Sequence, residues 1–220
     1  MKVLKTADKS STGVATNQVL VAASAVDSDQ QIVVWAASGS FETGIVLEDS
    51  TGVKLIPTLV AALDSKNIPC GYDGLPCFVV TAGRGLQYDA SGDAGVRVEY
   101  SLERSPFMTA IGKKAMLTAD LEATTNQTDT EIIAAPPAGK KIVVWKAHGT
   151  FKGDLELKSN GNAAYPILRG NLDTKALSLP YRGLAYFAGE SGQSLTYDLT
   201  AGATPSVGIR LCYTIEDAGF

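Results

Sequence analysis

The chain has 220 residues, 45% of them hydrophobic, with 22 glycines and a formal net charge of −4. That apolar share excludes bulk disorder. The mild acidity argues against a generic nucleic-acid binder, whose binding face is usually basic, and no run approaches the ~18 apolar residues of a membrane span.

The opening, MKVLKTADKSSTG, has no apolar core of signal-peptide length, so synthesis and folding in the cytoplasm are expected. Leu4 to Asp8 reads as a short strand or arm, followed by a polar stretch from Lys9 to Gln18 and an apolar run from Val19 to Ala22. After the polar turn Asp27-Ser28-Asp29 comes Ile32-Val33-Val34-Trp35, a run of strand formers. Four apolar residues in a row imply a strand covered on both faces. Phe41 to Glu48 continues as a strand, Ser50-Thr51-Gly52 is a turn, and residues 58–74 are less regular, with Thr58 to Leu63 read as one helical turn or else as part of a long connection of the kind a Greek key requires. A Tyr-x-Gly-Leu pattern at Tyr72, a Leu-x-Tyr-Asp strand at Leu86 and the alternating Val96 to Tyr100 complete the first half.

The second half repeats this order. Ile142-Val143-Val144-Trp145 follows Ile32-Val33-Val34-Trp35 by 110 positions, half the chain length, and Gly39 and Phe41 return as Gly149 and Phe151. Leu117-Thr118-Ala119-Asp120 matches the amino-terminal segment. Leu155 and Leu157 alternate with Asp154, Glu156 and Lys158, the pattern of a half-buried antiparallel strand. Tyr181-x-Gly183-Leu184, Leu195-x-Tyr197-Asp198 and Ile209 to Tyr213 match the later elements, and residues 167–183 are again the least regular. Each half offers seven or eight short strands with turns every 8–12 residues. The expected fold is therefore all-β: two tandem antiparallel β-sandwich, jelly-roll-like domains related by internal duplication. They span 1–104 and 117–220, with 105–116 as linker.

No catalytic constellation is legible. No phosphate-binding Gly-rich loop opens a helix, and Gly189-Glu190-Ser191-Gly192 is one residue short of a nucleophile elbow. His148 reads as an exposed polar residue at a strand end, and Arg210 as a residue on a wet strand face. Asp27 and Asp29 read as turn caps rather than calcium ligands. Cys70, Cys77 and Cys212 are an odd count, which points to free thiols, although Cys70 and Cys77 flank a loop across which they can meet. Zinc needs four close ligands, and His148 is the only histidine. No catalytic, cofactor or metal residue is expected. Trp35, Trp145, Tyr88 and Tyr197 read as core, with an interface role the competitor for the tryptophans.

Ala138-Gly139-Lys140-Lys141-Ile142-Val143-Val144, the turn Gly149-Thr150, the strand Leu155 to Ser159 and the pattern Gly183-Leu184…Phe187…Gly192…Leu195 resemble small β-sandwich structural proteins of tailed bacteriophages. The resemblance covers about 80 residues of each half, as a pattern of turns and apolar positions. The first half departs from it at Ala25 to Gln31, where a polar loop replaces Pro-Pro-x-Gly-Lys-Lys.

The resemblance implies a virion component on the head surface, a capsid cement or decoration protein bridging major capsid subunits, with no direct nucleic-acid or membrane contact. It carries no catalytic residue over. Three duplicated chains make a ring of three-fold symmetry and approximate six-fold shape, so a homotrimer is expected. Asp27, Asp29, Gln30, Tyr72, Tyr181 and Arg182 are the candidate interface residues. The competing readings are a tail or fibre-base component with carbohydrate-binding modules, and a double jelly-roll shell protein.

Overall fold

The computed structural model describes residues 4–60, 66–68, 70, 73–107, 110–111, 114–200 and 204–219. Its sheets are antiparallel, and the one helical element among the described residues is the single 3-10 turn Ala23–Ala25. The chain divides into two compact units, Met1–Thr109 and Ala110–Phe220.

The first unit contains β1 (Lys5–Ser11), β2 (Ala15–Val21), β3 (Gln30–Phe41), β4 (Gly44–Asp49), β5 (Leu59–Val60), β6 (Lys66–Asn67), β7 (Phe78–Val79), β8 (Leu86–Ala90) and β9 (Ala94–Arg104). One sheet runs β1-β9-β3-β6, with β7 also on β3; the other runs β2-β8-β4-β5. Ile32, Val34, Phe41 and Val98 from the first sheet share one buried cluster with Leu47, Leu86 and Tyr88 from the second. Ile32, Val33 and Val34 are all 0% exposed, so this run is covered on both faces, as its continuous apolar character requires. Between β3 and β4 the chain breaks at Glu42-Thr43, where Thr43 takes φ 61°.

The second unit opens with a small ladder, β10 (Ala110–Ile111) on β11 (Lys114–Ala115), inside the segment read as linker. Then follow β12 (Leu117–Ala123), β13 (Gln127–Ile133), β14 (Lys140–Ser159), β15 (Asn162–Ala163), β16 (Leu168–Leu179), β17 (Phe187–Ala188), β18 (Leu195–Thr200) and β19 (Ser206–Asp217). The sheet path is β12-β19-β14-β18-β13, with β15, β16 and β17 also on β14. Lys140 to Lys152 pairs with β19 and Asp154 to Ser159 with β18. One 20-residue strand thus takes the places of β3 and β4, turning from one partner to the next at Gly153, φ 104°. From Phe151 to Ser159 its residues alternate between buried and half-buried, with Leu155 and Leu157 on the core side.

The registers of the two units match. Lys5 faces Tyr100 and Leu117 faces Tyr213; Asp8 faces Arg97 and Asp120 faces Arg210. Gly39 (φ 129°) faces Val96 and Gly149 (φ 153°) faces Ile209. A Cβ on Gly39 would lie 1.9 Å from the Gly95 carbonyl oxygen, and one on Gly149 would lie 2.1 Å from that of Gly208. These ladders close only because both positions lack a side chain.

Several sequence expectations are corrected. Residues 168–179, read as irregular, form the strand β16, whose stretch Thr174 to Leu179 pairs with Ala147 to Lys152. The spacing of Leu177 and Leu179 carries a strand pattern that the flanking Asn, Gly and Pro residues obscure. Leu59–Val60 is a strand on Gly44 and Ile45 rather than part of a helical turn; residues 61–63 of that expected turn lie outside the described residues. The polar stretches contain strand: β1 runs to Ser11 with β2 starting at Ala15, and β12 runs to Ala123 with β13 starting at Gln127. Cys70 and Cys77 form a disulfide instead of staying free, and Cys212 is buried and outside any disulfide.

Candidate functional site

The repeated tryptophans sit at repeated irregularities. In β3 the ladder to β9 shifts between Val34 and Ala36, leaving Trp35 as the extra residue; in β14 the ladder to β19 shifts between Val144 and Lys146, leaving Trp145. A bulge of this kind turns a side chain out of the regular alternation. The Trp35 Nε1–H donates to Ser101 Oγ at 2.9 Å, and the Ser101 hydroxyl donates to Glu103 Oε1 at 2.7 Å. The Trp145 Nε1–H donates to Thr214 Oγ1 at 2.8 Å, and that hydroxyl donates to Glu216 Oε1 at 2.6 Å. Each indole thereby satisfies its one donor through a hydroxyl relay ending on a carboxylate.

An aromatic ring lies beside each indole. Phe107 stands edge-on to Trp35 with centroids 6.0 Å apart, and Tyr181 is tilted toward Trp145 at 6.3 Å. Trp35 is buried, whereas Trp145 and Tyr181 are half-buried. Sequence reasoning named Tyr181 but missed Phe107. The available signal was an aromatic residue directly after the Ser105-Pro106 break.

The other candidate residues fall into separate places. Asp27 and Asp29 are exposed in the turn before β3, and Gln30, the first residue of β3, is half-buried and donates its N–H to the Asp27 carbonyl at 2.9 Å. The Asp29 carboxylate lies 3.9 Å from Arg104 with both side chains largely in solvent, an arrangement of little energetic weight. Arg182 is exposed beside Tyr181, and Leu184 at the same loop is 77% exposed. Tyr72 lies outside the described residues. The first unit thus gathers Asp27, Asp29 and Gln30, and the second gathers Tyr181 and Arg182 next to Trp145.

The Tyr-Asp pairs are structural. The buried Tyr88 hydroxyl donates to Ser11 Oγ at 3.1 Å. Asp89 accepts the Asn17 N–H at 2.6 Å and Asp198 the Asp129 N–H at 2.7 Å. Asn17 and Asp129 occupy the left-handed region at φ 52° and φ 48°, so each carboxylate pins a bulge in the neighbouring strand. In the second unit Lys158 also reaches Asp129 and Asp198, both at 2.7 Å. Burial raises the Asp198 carboxyl, but the Asp129 amide and Lys158 outweigh it and hold it below the usual range.

Two polar groups are more buried than the sequence implied. Asp49 is fully buried at the end of β4, accepting from the Thr51 amide and hydroxyl, the Val53 amide and Arg84, the last at 2.6 Å. Burial pushes its carboxyl up, and these donors overcome that and bring it down to about 2. His148, expected in solvent, is 4% exposed. Neither ring nitrogen meets a hydrogen-bond partner among the described residues. Burial, then the charges of Lys146 and Arg210, lower it to about 3, so the ring is neutral at pH 7. Arg210, directly across from His148 on β19, is 8% exposed and makes a two-pronged pair with Asp120 at 2.7 and 2.6 Å. The Arg210 guanidinium is largely covered there because the exposed Asp120 sits opposite it in the register and accepts both of its N–H groups.

Among the described residues, no group of three His, Cys, Asp or Glu is placed to hold a metal ion, and no helix is long and apolar enough to cross a membrane. Comparison with protein-family models, curated proteins and solved structures gives no match to this chain.

Proposed function

We propose that the chain is a non-enzymatic virion structural protein built by tandem duplication of one antiparallel β-sandwich of jelly-roll type. In this reading it is a capsid cement or decoration protein of a tailed bacteriophage, bridging and stabilising major capsid subunits at the head surface. The observation that carries it is the matched pair of frames. Two units repeat the same strand pairing, the same glycine contacts and the same tryptophan relay. A chain with two like surfaces suits a lattice that offers like binding positions in pairs, and the turn-and-apolar pattern resembles phage β-sandwich proteins. Self-association as a homotrimer belongs to the same reading, since closed cyclic symmetry is the common solution for like surfaces.

The test is copy number. Quantitative mass spectrometry of purified particles is expected to find hundreds of copies, in fixed ratio to the major capsid protein. A dozen or fewer would move the protein to the tail or a vertex, and absence from particles would remove the virion assignment. Sedimentation at high concentration tests the trimer separately.

A second reading, a carbohydrate-binding module at the tail or fibre base, is favoured by one observation. Trp145 and Tyr181 form a half-buried aromatic pair beside the exposed Arg182. Quenching of tryptophan fluorescence by sugars in wild type, lost in Tyr181→Ala, would select it.

A further inference from the structure

The two units close one corner differently. Asp49 faces Leu86 in its ladder, and Ser159 faces the matching Leu195. After Asp49 the first unit turns through Ser50-Thr51-Gly52, and Asp49 Oδ1 accepts the Thr51 amide at 2.8 Å. After Ser159 the second unit turns through Asn160-Gly161 alone, because Ser159 already pairs with Asn162. Asn160 and Gly161 are exposed and left-handed, at φ 53° and φ 72°, as a tight hairpin turn requires. The Glu190 carboxylate meets this turn. One oxygen accepts the Asn160 Nδ2–H at 2.8 Å, and the other accepts the Asn162 Nδ2–H at 3.2 Å. The Glu190 amide donates to Ser159 Oγ at 2.9 Å. Asn160 is also the one asparagine in the chain that glycine follows; Asn17, Asn67, Asn126, Asn162 and Asn171 precede Gln, Ile, Gln, Ala and Leu.

We propose that Asn160 is a site of spontaneous deamidation, tethered by Glu190 before the reaction and repelled by it afterwards. The Gly161 backbone nitrogen attacks Asn160 Cγ. The Cγ–Nδ2 bond breaks, and the Gly161 amide proton leaves with the amine as ammonia. The cyclic imide that remains takes up one water and opens to aspartate or isoaspartate. The balance is amide plus water to acid plus ammonia, with no change of oxidation state. Gly161 permits the attack because no Cβ shields its nitrogen, and the exposed turn supplies the water. Nδ2, the leaving atom, is the one that Glu190 holds, so the tether keeps Cγ from swinging toward the Gly161 nitrogen. Conversion deletes that donor and installs a negative charge. Two carboxylates then stand where a hydrogen bond stood, and they repel. The first unit has no asparagine at this corner, so only the second unit changes. The inference uses the geometry of this turn and is independent of the virion reading.

Peptide mapping by mass spectrometry of the full chain, sampled during incubation in mildly alkaline buffer at physiological temperature, tests it. Asn160 is expected to convert about ten-fold faster or more than Asn162, its neighbour in the same hairpin. Equal conversion of the two would overturn the site, as would an intact Asn160 over a period in which the urea-unfolded chain converts there. Glu190→Ala releases the tether and is expected to speed conversion at Asn160 about three-fold. An unchanged or slower rate in that variant would overturn the role given to Glu190. The consequence is read separately, in the thermal midpoint of purified variants. Asn160→Asp is expected to melt below wild type, and Asn160→Asp/Glu190→Gln, which restores a donor–acceptor pair, is expected to recover the loss. A midpoint unmoved by Asn160→Asp, or not recovered in the double variant, would overturn the repulsion.

Discussion

Asp49 shows how much one side chain can hold. Its buried carboxylate terminates β4, shapes the turn through Thr51 and Val53, and ties Arg84 to the same corner. Its folded pKa of about 2 lies below the ~3.9 of an unfolded aspartate. The stability it contributes is therefore complete above about pH 4 and is lost as pH falls toward 2. Asp49→Asn is expected to lower the unfolding free energy at pH 7 by about 2 kcal/mol and to flatten the pH dependence between 4 and 2, as followed by urea titration at each pH. His148 also has a folded pKa below its unfolded value, here about 3 against ~6.5. Its neutral burial costs nothing extra above pH 6.5, but below that the unfolded chain gains a proton the folded chain resists. The expectation is a loss of about 2 kcal/mol between pH 7 and pH 5, absent in His148→Leu. Neither role was legible in the sequence. Asp49 stands in an ordinary turn pattern, and His148 looks like a polar residue replacing Ser38; only the packing around them shows that both are out of water.

Among the strands, the outcome divides by how local the signal is. The runs Ile32 to Trp35 and Ile142 to Trp145 were readable because β-branched residues in unbroken succession have few alternatives to a covered strand. The alternation of Leu155 and Leu157 identified the core side of β14. β16 was not readable, because its pairing to β14 shifts between Lys152 and Asp154 and its sequence carries no continuous period. The tryptophan positions were found, but their bulges were not, since an extra residue in a ladder leaves no mark in either strand alone. The repeated glycines give the sharpest prediction among the ladders. Gly149→Ala would place a methyl group against the Gly208 carbonyl and force β14 away from β19. A destabilisation of about 3 kcal/mol is expected, read as a lower denaturation midpoint. Gly39→Ala should do the same to the pairing of β3 with β9.

The described residues form two hydrophobic clusters, one drawn from each unit. The all-β class followed from the spacing of turns. The place of division, after Thr109, was less legible, because the segment read as linker holds the β10–β11 ladder. With a core of its own, each unit is expected to melt cooperatively. Residues 110–220 expressed alone should show a single unfolding transition with a strand-type circular dichroism spectrum. A fragment without a transition would show that the second core is incomplete.

The register at the edges of the two sheets has a mechanical consequence. Lys5, at the start of β1, lies opposite Tyr100 near the end of β9, and Leu117, at the start of β12, lies opposite Tyr213 near the end of β19. In each unit the strand that enters and the strand that leaves are antiparallel neighbours. A pull on those two ends loads the ladder one hydrogen bond at a time, like a zipper, and never all of them together in shear. Such a unit yields to low force along its own chain, so any substantial load must enter through its sheet faces and not through its termini.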